Sequence, residues 1–233
     1  MLLEDKIRPS PKPPPPIKLE NILDVGCGLG SLCLEMAQEH PSSRVVGIDL
    51  KPVSVDPATI PINCTFITGN IFTTDAFHPG QFDLIISRDI RSDIAMVEWG
   101  NYVFRLFQLL KPGGWMHFVE MDPWPCTEDA GSSANSGWMQ YTEAMQTMMN
   151  ARGLQYYGLI QDLEVSIQAL QPASLISGNR LVAVGKWTKG TKSQIFTILT
   201  HGRQKIASAR GNFESYLACK RRCQPPQTRR ISG

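Results

Sequence analysis

Asp24, the glycines at positions 26, 28 and 30, and Asp49 are the residues whose types and spacing point most directly to chemistry. The apolar run around Ile22, Leu23, Asp24 and Val25 breaks into Gly26-Cys27-Gly28-Leu29-Gly30, a turn whose backbone N–H groups can come into contact with a ligand. That suits a nucleotide-like molecule. Asp49 stands 25 residues beyond Asp24, at the end of a second apolar run, Arg44 to Leu50.

The elements that must position these residues alternate along the chain. Strands are expected at Ile22–Val25, Arg44–Leu50, Asn63–Asn70, Phe82–Arg88 and Trp115–Met121, with helices at Ser31–Glu39 and Val97–Leu110. Lys51 to Ile60 shows no clean helical period, because Pro52 and Pro57 interrupt it. Lys111-Pro112-Gly113-Gly114 ends the second helix sharply. Strand, glycine turn, helix, strand, acid is a parallel βαβ unit, and its repetition argues for an α/β, doubly wound sheet.

A dinucleotide fingerprint needs a glycine or alanine where Ser31 stands, and no Gly-Lys-Ser/Thr of a phosphate loop follows, so both of those readings fall away. The ordered segments Asp24-Val25-Gly26-Cys27-Gly28-Leu29-Gly30, Val46-Gly47-Ile48-Asp49-Leu50, Phe82-Asp83-Leu84-Ile85-Ile86 and Leu110-Lys111-Pro112-Gly113-Gly114 resemble the motifs of class I S-adenosylmethionine-dependent methyltransferases. The likeness spans residues 20–125. Within that superfamily the Leu-Lys-Pro-Gly-Gly-Trp segment followed by Glu120, with the Trp- and Met-rich helix after it, resembles the fungal LaeA-like secondary-metabolism methyltransferases.

The resemblance implies a Rossmann-like, mostly parallel sheet of the seven-stranded type, with S-adenosyl-L-methionine as cofactor. It implies cofactor contacts from Asp24, Gly26, Cys27, Gly28, Gly30, Asp49, Leu50, Asn70, Ile71 and Ser87. In that scheme the glycines let the backbone approach the methionine end, Asp24 addresses the ammonium group, and Asp49 accepts from both ribose hydroxyls. Asn70 and Ile71 match the adenine-contacting position, where Asp is commoner than Asn. Each has a plainer rival: close helix packing for the glycines, a turn role for Asp49 and Asn70, and a structural ion pair for Arg88.

The sulfonium methyl is already activated, so alignment is the protein's main task and no side chain is obligatory as a catalyst. Asp89, Glu120 and Asp122 are the candidates for an acceptor base, because they follow the fourth and fifth strands. His117 lies within the fifth strand, faces away from Glu120 by alternation, and reads as a packed histidine. Trp124, Trp138, Tyr141, Met139, Met145, Met148 and Met149 either line an apolar substrate pocket or form an ordinary amphipathic helix over Trp138–Ala151.

The rest of the chain sets the context. Residues 1–19 form a Pro-rich lead-in, extended over 8–17, with a ligand for an SH3-like module as the alternative to a plain spacer. Residues 20–187 form the methyltransferase domain, divided into a cofactor half (20–125) and a substrate or lid part (126–187). Residues 188–233 form a divergent extension with a basic tail. Leu163–Leu170 and Leu181–Trp187 read as strands, Ile195–Leu199 as a further one, and 212–219 as a loose helix. Past Gln171 the pattern departs from the family, with no clear helix before the last strand pair.

Six cysteines lack Cys-x-x-Cys spacing and only four histidines accompany them, so free thiols and no metal site are expected. Lys220, Arg221, Arg222, Arg229 and Arg230 carry five positive charges, which turns the net +2 into −3 for residues 1–219 and leaves no footprint for nucleic acid. There is no long apolar run and no signal-peptide core, so a cytoplasmic protein without membrane contact is expected. The tail reads as solvated, with a nuclear-localisation segment as the alternative. Function is expected to be methyl transfer to a small molecule in secondary metabolism; the alternative is a non-catalytic or weakly active LaeA-like regulator acting through protein partners.

Overall fold

A computed structural model describes residues 18–126, 137–156, 158–172, 174–183 and 192–201, with side chains placed for 18–120, 140–156 and 158–172. The expectations for the Pro-rich lead-in, Trp124, Trp138, Met139, the 212–219 helix and the basic tail fall outside those residues or side chains.

Strands β1 (Asn21–Val25), β2 (Arg44–Asp49), β3 (Cys64–Thr68) and β4 (Phe82–Arg88) lie where the apolar runs place them. β5 (Leu110–Cys126), β6 (Ser174–Ala183) and β7 (Lys192–His201) complete one seven-stranded sheet of order β3-β2-β1-β4-β5-β7-β6. The first five strands are parallel, and β7 runs antiparallel to both β5 and β6. The sheet therefore continues past residue 187 to His201.

β1 and β4 are buried along nearly their whole length because helices cover both faces, which is why they read as continuous apolar runs rather than alternating ones. Helix α1 (Ser31–Glu39) turns Leu32, Cys33, Met36 and Ala37 onto one face, against Ile22, Val45, Leu84 and Ile86. Helix α2 (Trp99–Leu109) buries Trp99, Tyr102, Val103, Leu106 and Phe107 on the other, at the i, i+3, i+4, i+7, i+8 spacing of an amphipathic helix. Trp99 and Tyr102 meet edge to face at 5.6 Å. Helix α3 (Gly137–Ala151) follows β5.

The segment Leu163–Leu170, expected as a strand, is helical: α4 spans Leu159–Ala169. Its buried residues Leu159, Ile160, Leu163, Ser166 and Ile167 recur at helical intervals and pack into the same core as α2. A window opened at Leu163 cuts off Leu159 and Ile160 and hides that period. The strand expected at Leu181–Trp187 starts earlier, as β6, while residues 184–187 lie outside the described set.

The Lys111-Pro112-Gly113-Gly114 break also serves a purpose at the sheet's amino end. The pairing of β5 with β4 slips between Phe82 and Leu84, and a Cβ on Gly114 would stand 3.0 Å from the Asp83 carbonyl oxygen. Lys111 Nζ lies 3.0 Å from Asp83 Oδ2, which also accepts from the backbone N–H groups of Glu20 and Asn21. This staple ties the first strand to the middle of the sheet, far from the carboxyl ends. No helix among the described residues is long and apolar enough to cross a membrane.

Candidate functional site

Strand order reverses between β1 and β4, and a crevice must open at the carboxyl ends there because the following connections leave to opposite faces. A cavity of about 460 Å³ occupies that position. Gly26, Gly28, Asp49, Leu50, Asn70, Ile71 and Asp89 line it, so the structure brings seven of the sequence-selected residues to one place.

The glycine turn is pinned to β2. The N–H groups of Gly26 and Cys27 donate to the Ile48 carbonyl at 2.9 and 3.2 Å. Gly26, Gly28 and Gly30 all hold positive φ (70°, 54° and 77°), the left-handed region that glycine enters without a Cβ penalty. Their surroundings differ. A Cβ on Gly30 would meet the Phe66 ring at 2.7 Å and one on Gly26 would meet Ile90 Cγ2 at 2.5 Å, whereas one on Gly28 would meet nothing within 4 Å. Gly28 thus offers bare backbone to the cavity, while Gly30 serves packing and is not part of the lining.

Asp49 joins the two lips. Its Oδ2 accepts from Gly28 N–H and its Oδ1 from Lys51 N–H, each at 2.9 Å, leaving each oxygen one further lone-pair direction. Asn70 combines both readings offered for it. Its Oδ1 accepts from Phe72 N–H at 2.9 Å in a local turn, and the residue still lines the cavity with its amide nitrogen uncommitted by that turn. Arg105 of α2 supports this loop, donating to the Ile71 carbonyl at 3.2 Å and the Thr74 carbonyl at 3.1 Å.

Asp24, Cys27 and Ser87 do not line the cavity. Asp24 is buried beneath the turn, where Cys33 Sγ donates to its Oδ2 at 3.4 Å. Burial pushes its carboxyl up to about 6 against the opposing pull of Arg88. Cys27 is buried behind the turn, near the position a Cβ on Gly47 would take. Ser87 alternates onto the α2 face and accepts from the Tyr102 hydroxyl at 2.9 Å, so Tyr102 is the residue that reaches the lining.

The three candidate bases separate. Asp89 lines the cavity in a left-handed conformation (φ 52°), rare for a residue with a side chain, and burial holds its carboxyl above the ordinary range despite Arg88 and Arg91. Glu120 is 1% exposed and absent from the lining; its Oε1 accepts from Ile90 N–H at 3.1 Å, so it does not reach an acceptor in the cavity. Asp122 pairs with Gln194 in the sheet, and its side chain is outside the described set. His117 is buried on the face opposite Glu120, with burial first and Arg88 second lowering its imidazole to about 4.

The sequence reading did not select Lys51, Phe72, Ile90, Asp93, Ile94 or Tyr102, all of which line the cavity. Three of them belong to the run Asp89-Ile90-Arg91-Ser92-Asp93-Ile94 directly after β4, and position after a strand was the available signal. Arg88 also lines the cavity and forms no ion pair among the described residues; its charge acts at longer range on Asp24, Asp89 and His117.

These shifts set a pH dependence of stability. Burial raises Glu120 to about 8, with Asp89 adding to the rise and Arg91 opposing it. A carboxyl with a folded pKa above its unfolded value makes the folded state bind the proton more tightly, so stability falls as pH rises toward the folded pKa. His117 acts in the opposite sense, but only below its unfolded value of about 6.5. Between pH 6.5 and 8.5 Glu120 therefore governs, and the ligand-free protein is expected to lose roughly 2 kcal/mol, or roughly 4–8 °C in Tm. Thermal denaturation across that range checks this; a flat or rising Tm contradicts it.

Comparison with known proteins agrees with this geometry. A family model described as "Methyltransferase domain" matches residues 17–175. The secondary metabolism regulator laeA of Aspergillus flavus is 32% identical over 146 residues, covering 61% of this chain and 38% of the relative. The protein-methionine methyltransferase laeA of Emericella nidulans is 34% identical over 108 residues, covering 46% of this chain and 28% of the relative. The chain thus spans well under half the length of these curated relatives. Among solved structures, a SAM-dependent methyltransferase from Methanosarcina mazei superposes with a TM-score of 0.58 at 16% identity, covering 82% of this chain and 95% of the other. Phosphoethanolamine N-methyltransferase 2 of Haemonchus contortus, solved with S-adenosyl-L-methionine, superposes with a TM-score of 0.51 at 16% identity, covering 82% and 50%. With the family model matching more than half of its length and this sheet order beneath it, the chain belongs to the methyltransferase-domain family.

Proposed function

We propose that the cavity binds S-adenosyl-L-methionine and that the chain directs transfer of its methyl group to an acceptor entering past Asp89 and Asp93. The observation that carries this reading is the pairing of Asp49 with the open backbone of Gly28: a carboxylate with free lone pairs beside bare peptide at a strand-order reversal. In this arrangement Asp49 accepts from the ribose hydroxyls, and Leu50, Asn70 and Ile71 border the adenine. Gly26 and Gly28 admit the methionine end. Asp24 acts from beneath the turn as a fixed negative charge toward the ammonium group, not as a direct liner.

The bound cofactor supplies an activated sulfonium methyl; the protein's share is to hold the acceptor in line and exclude competing water. Asp89 is the side chain best placed to accept a proton from an acceptor hydroxyl or amine, since it lines the cavity and is exposed. The acceptor is read as a small molecule of secondary metabolism. One laeA relative is named a secondary metabolism regulator and another a protein-methionine methyltransferase, and the first name favours a second reading, a regulator, which we take to act through protein partners.

Calorimetry with S-adenosylhomocysteine tests cofactor binding; a folded protein that shows no heat and no thermal shift overturns the proposal. Transfer of labelled methyl from S-adenosylmethionine into fractionated extract separates the two readings. Label in small molecules supports the first. Label only in protein makes the acceptor a protein, and no label with full biological function from a variant that cannot bind cofactor supports the second.

A further inference from the structure

Glu120 is a buried carboxyl that the proposed chemistry does not use. It sits on β5, at the edge of the cavity's construction but outside its lining. Its Oε1 accepts from Ile90 N–H at 3.1 Å, the Arg91 backbone N–H also favours the carboxylate, and Oε2 is buried with no hydrogen-bond partner among the described residues. Ile90 is the residue whose Cγ2 stands where a Cβ on Gly26 would be, so its side chain closes directly over the glycine turn.

The segment it belongs to is anchored at three points. Asp89 N–H donates to the Val119 carbonyl at 3.0 Å, Ile90 N–H donates to Glu120, and the Arg91 guanidinium stands 5.0 Å over the Tyr156 ring. Asp89, Ile90, Asp93 and Ile94 then form one wall of the cavity. The first anchor is backbone to backbone and the third lies at the outer end. The second alone depends on a buried carboxyl.

We propose that Glu120 is a positioning residue that holds the wall formed by residues 89–94 against the glycine turn, and through it sets the affinity for the cofactor. This inference rests on the reading of the cavity as an S-adenosylmethionine site. The charged and titratable groups bearing on Glu120 are Asp89 and Arg91 from the segment after β4 and Tyr102 from α2. On β7 its register partner is Phe196, flanked by Ile195 and Thr197, none of which titrates.

Ionisation of Glu120 has two opposed consequences. A charged carboxylate is held more strongly by the Ile90 and Arg91 N–H groups, but its Oε2 is buried without a partner among the described residues and Asp89 repels the charge. Burial disfavours the ionised form and Oε2 offers it no compensating partner, so ionisation is expected to loosen the wall.

The test measures the Kd of S-adenosylhomocysteine by calorimetry from pH 6.5 to 9.5 for the wild-type chain, Glu120→Gln and Glu120→Leu, with circular dichroism on each. At pH 7 Glu120→Gln, which keeps an acceptor oxygen, is expected to bind within about threefold of wild type, and Glu120→Leu at least about tenfold more weakly. Wild-type affinity is expected to fall about fivefold or more toward pH 9.5 relative to Glu120→Gln, a comparison in which the ligand's own amine titration cancels. A folded Glu120→Leu that binds as wild type does overturns the inference. Should that variant not fold, parallel pH curves for wild type and Glu120→Gln overturn it by themselves. A folded wild-type chain that binds no ligand at any pH instead overturns the methyltransferase reading, and this inference with it.

Discussion

Replacing Asp49 with alanine is expected to weaken S-adenosylhomocysteine binding by two to three orders of magnitude while leaving the chain folded. The carboxylate accepts from Gly28 and Lys51 N–H and has lone pairs left for two hydroxyls of a ligand. Hydrogen bonds to a charged group contribute about 1.5–3 kcal/mol each, so losing two gives about 3–4 kcal/mol after relaxation, and about 1.4 kcal/mol is a factor of ten. The variant also releases Gly28 N–H, but at an exposed position where water can replace the acceptor. Asp49→Asn is expected to fall between the two, because one of its two side-chain heads is a donor. Calorimetry against the folded variants decides this. A loss of less than tenfold in Asp49→Ala removes Asp49 from the ribose-binding role and leaves it as a turn residue.

The glycine turn supports the second large prediction, which separates backbone strain from access. Gly26→Val puts a β-branched residue at φ 70° and drives its Cβ to 2.5 Å from the Ile90 methyl. The left-handed conformation costs about 1–2 kcal/mol for an L residue, and displacing a buried isoleucine from a filled site costs about as much again. The ligand-free protein is thus expected to lose about 3 kcal/mol, read as a drop of roughly 6–12 °C in Tm. Gly28→Ala meets no atom within 4 Å and is expected to lose only about 1 kcal/mol from the backbone. Its methyl group instead points at open cavity, so its ligand affinity is expected to fall more than its stability. Paired thermal denaturation and ligand titration check the contrast. Equal stability losses in the two variants would contradict the packing role of Ile90.

Four of the ten residues expected at the cofactor lie behind the cavity surface. Asp24, Cys27, Gly30 and Ser87 belong to motifs in sequence, yet none of them lines the cavity. Alternation explains Ser87, since one step along β4 moves a side chain from the Arg88 face to the α2 face. Close packing explains Gly30, whose missing Cβ makes room for Phe66. Glu120 was readable as an acid after a strand, but only its hydrogen bond to Ile90 shows that it braces the wall from behind.

What the sequence alone determined is the local grammar: five apolar runs that become parallel strands, a glycine turn after the first of them, and an acid at the end of β2. These follow from short-range physics, because positive φ, strand alternation and amphipathic helix faces are decided by neighbouring residues. The tertiary structure decided the rest. It placed β7 between β5 and β6 and set the apolar face of α4 against the core it shares with α2. It also selected which carboxylates face the cavity and which are buried beneath it. Those outcomes depend on pairings between residues tens of positions apart, such as Ile90 with Glu120 and Ser87 with Tyr102, and no spacing within a single segment carries them.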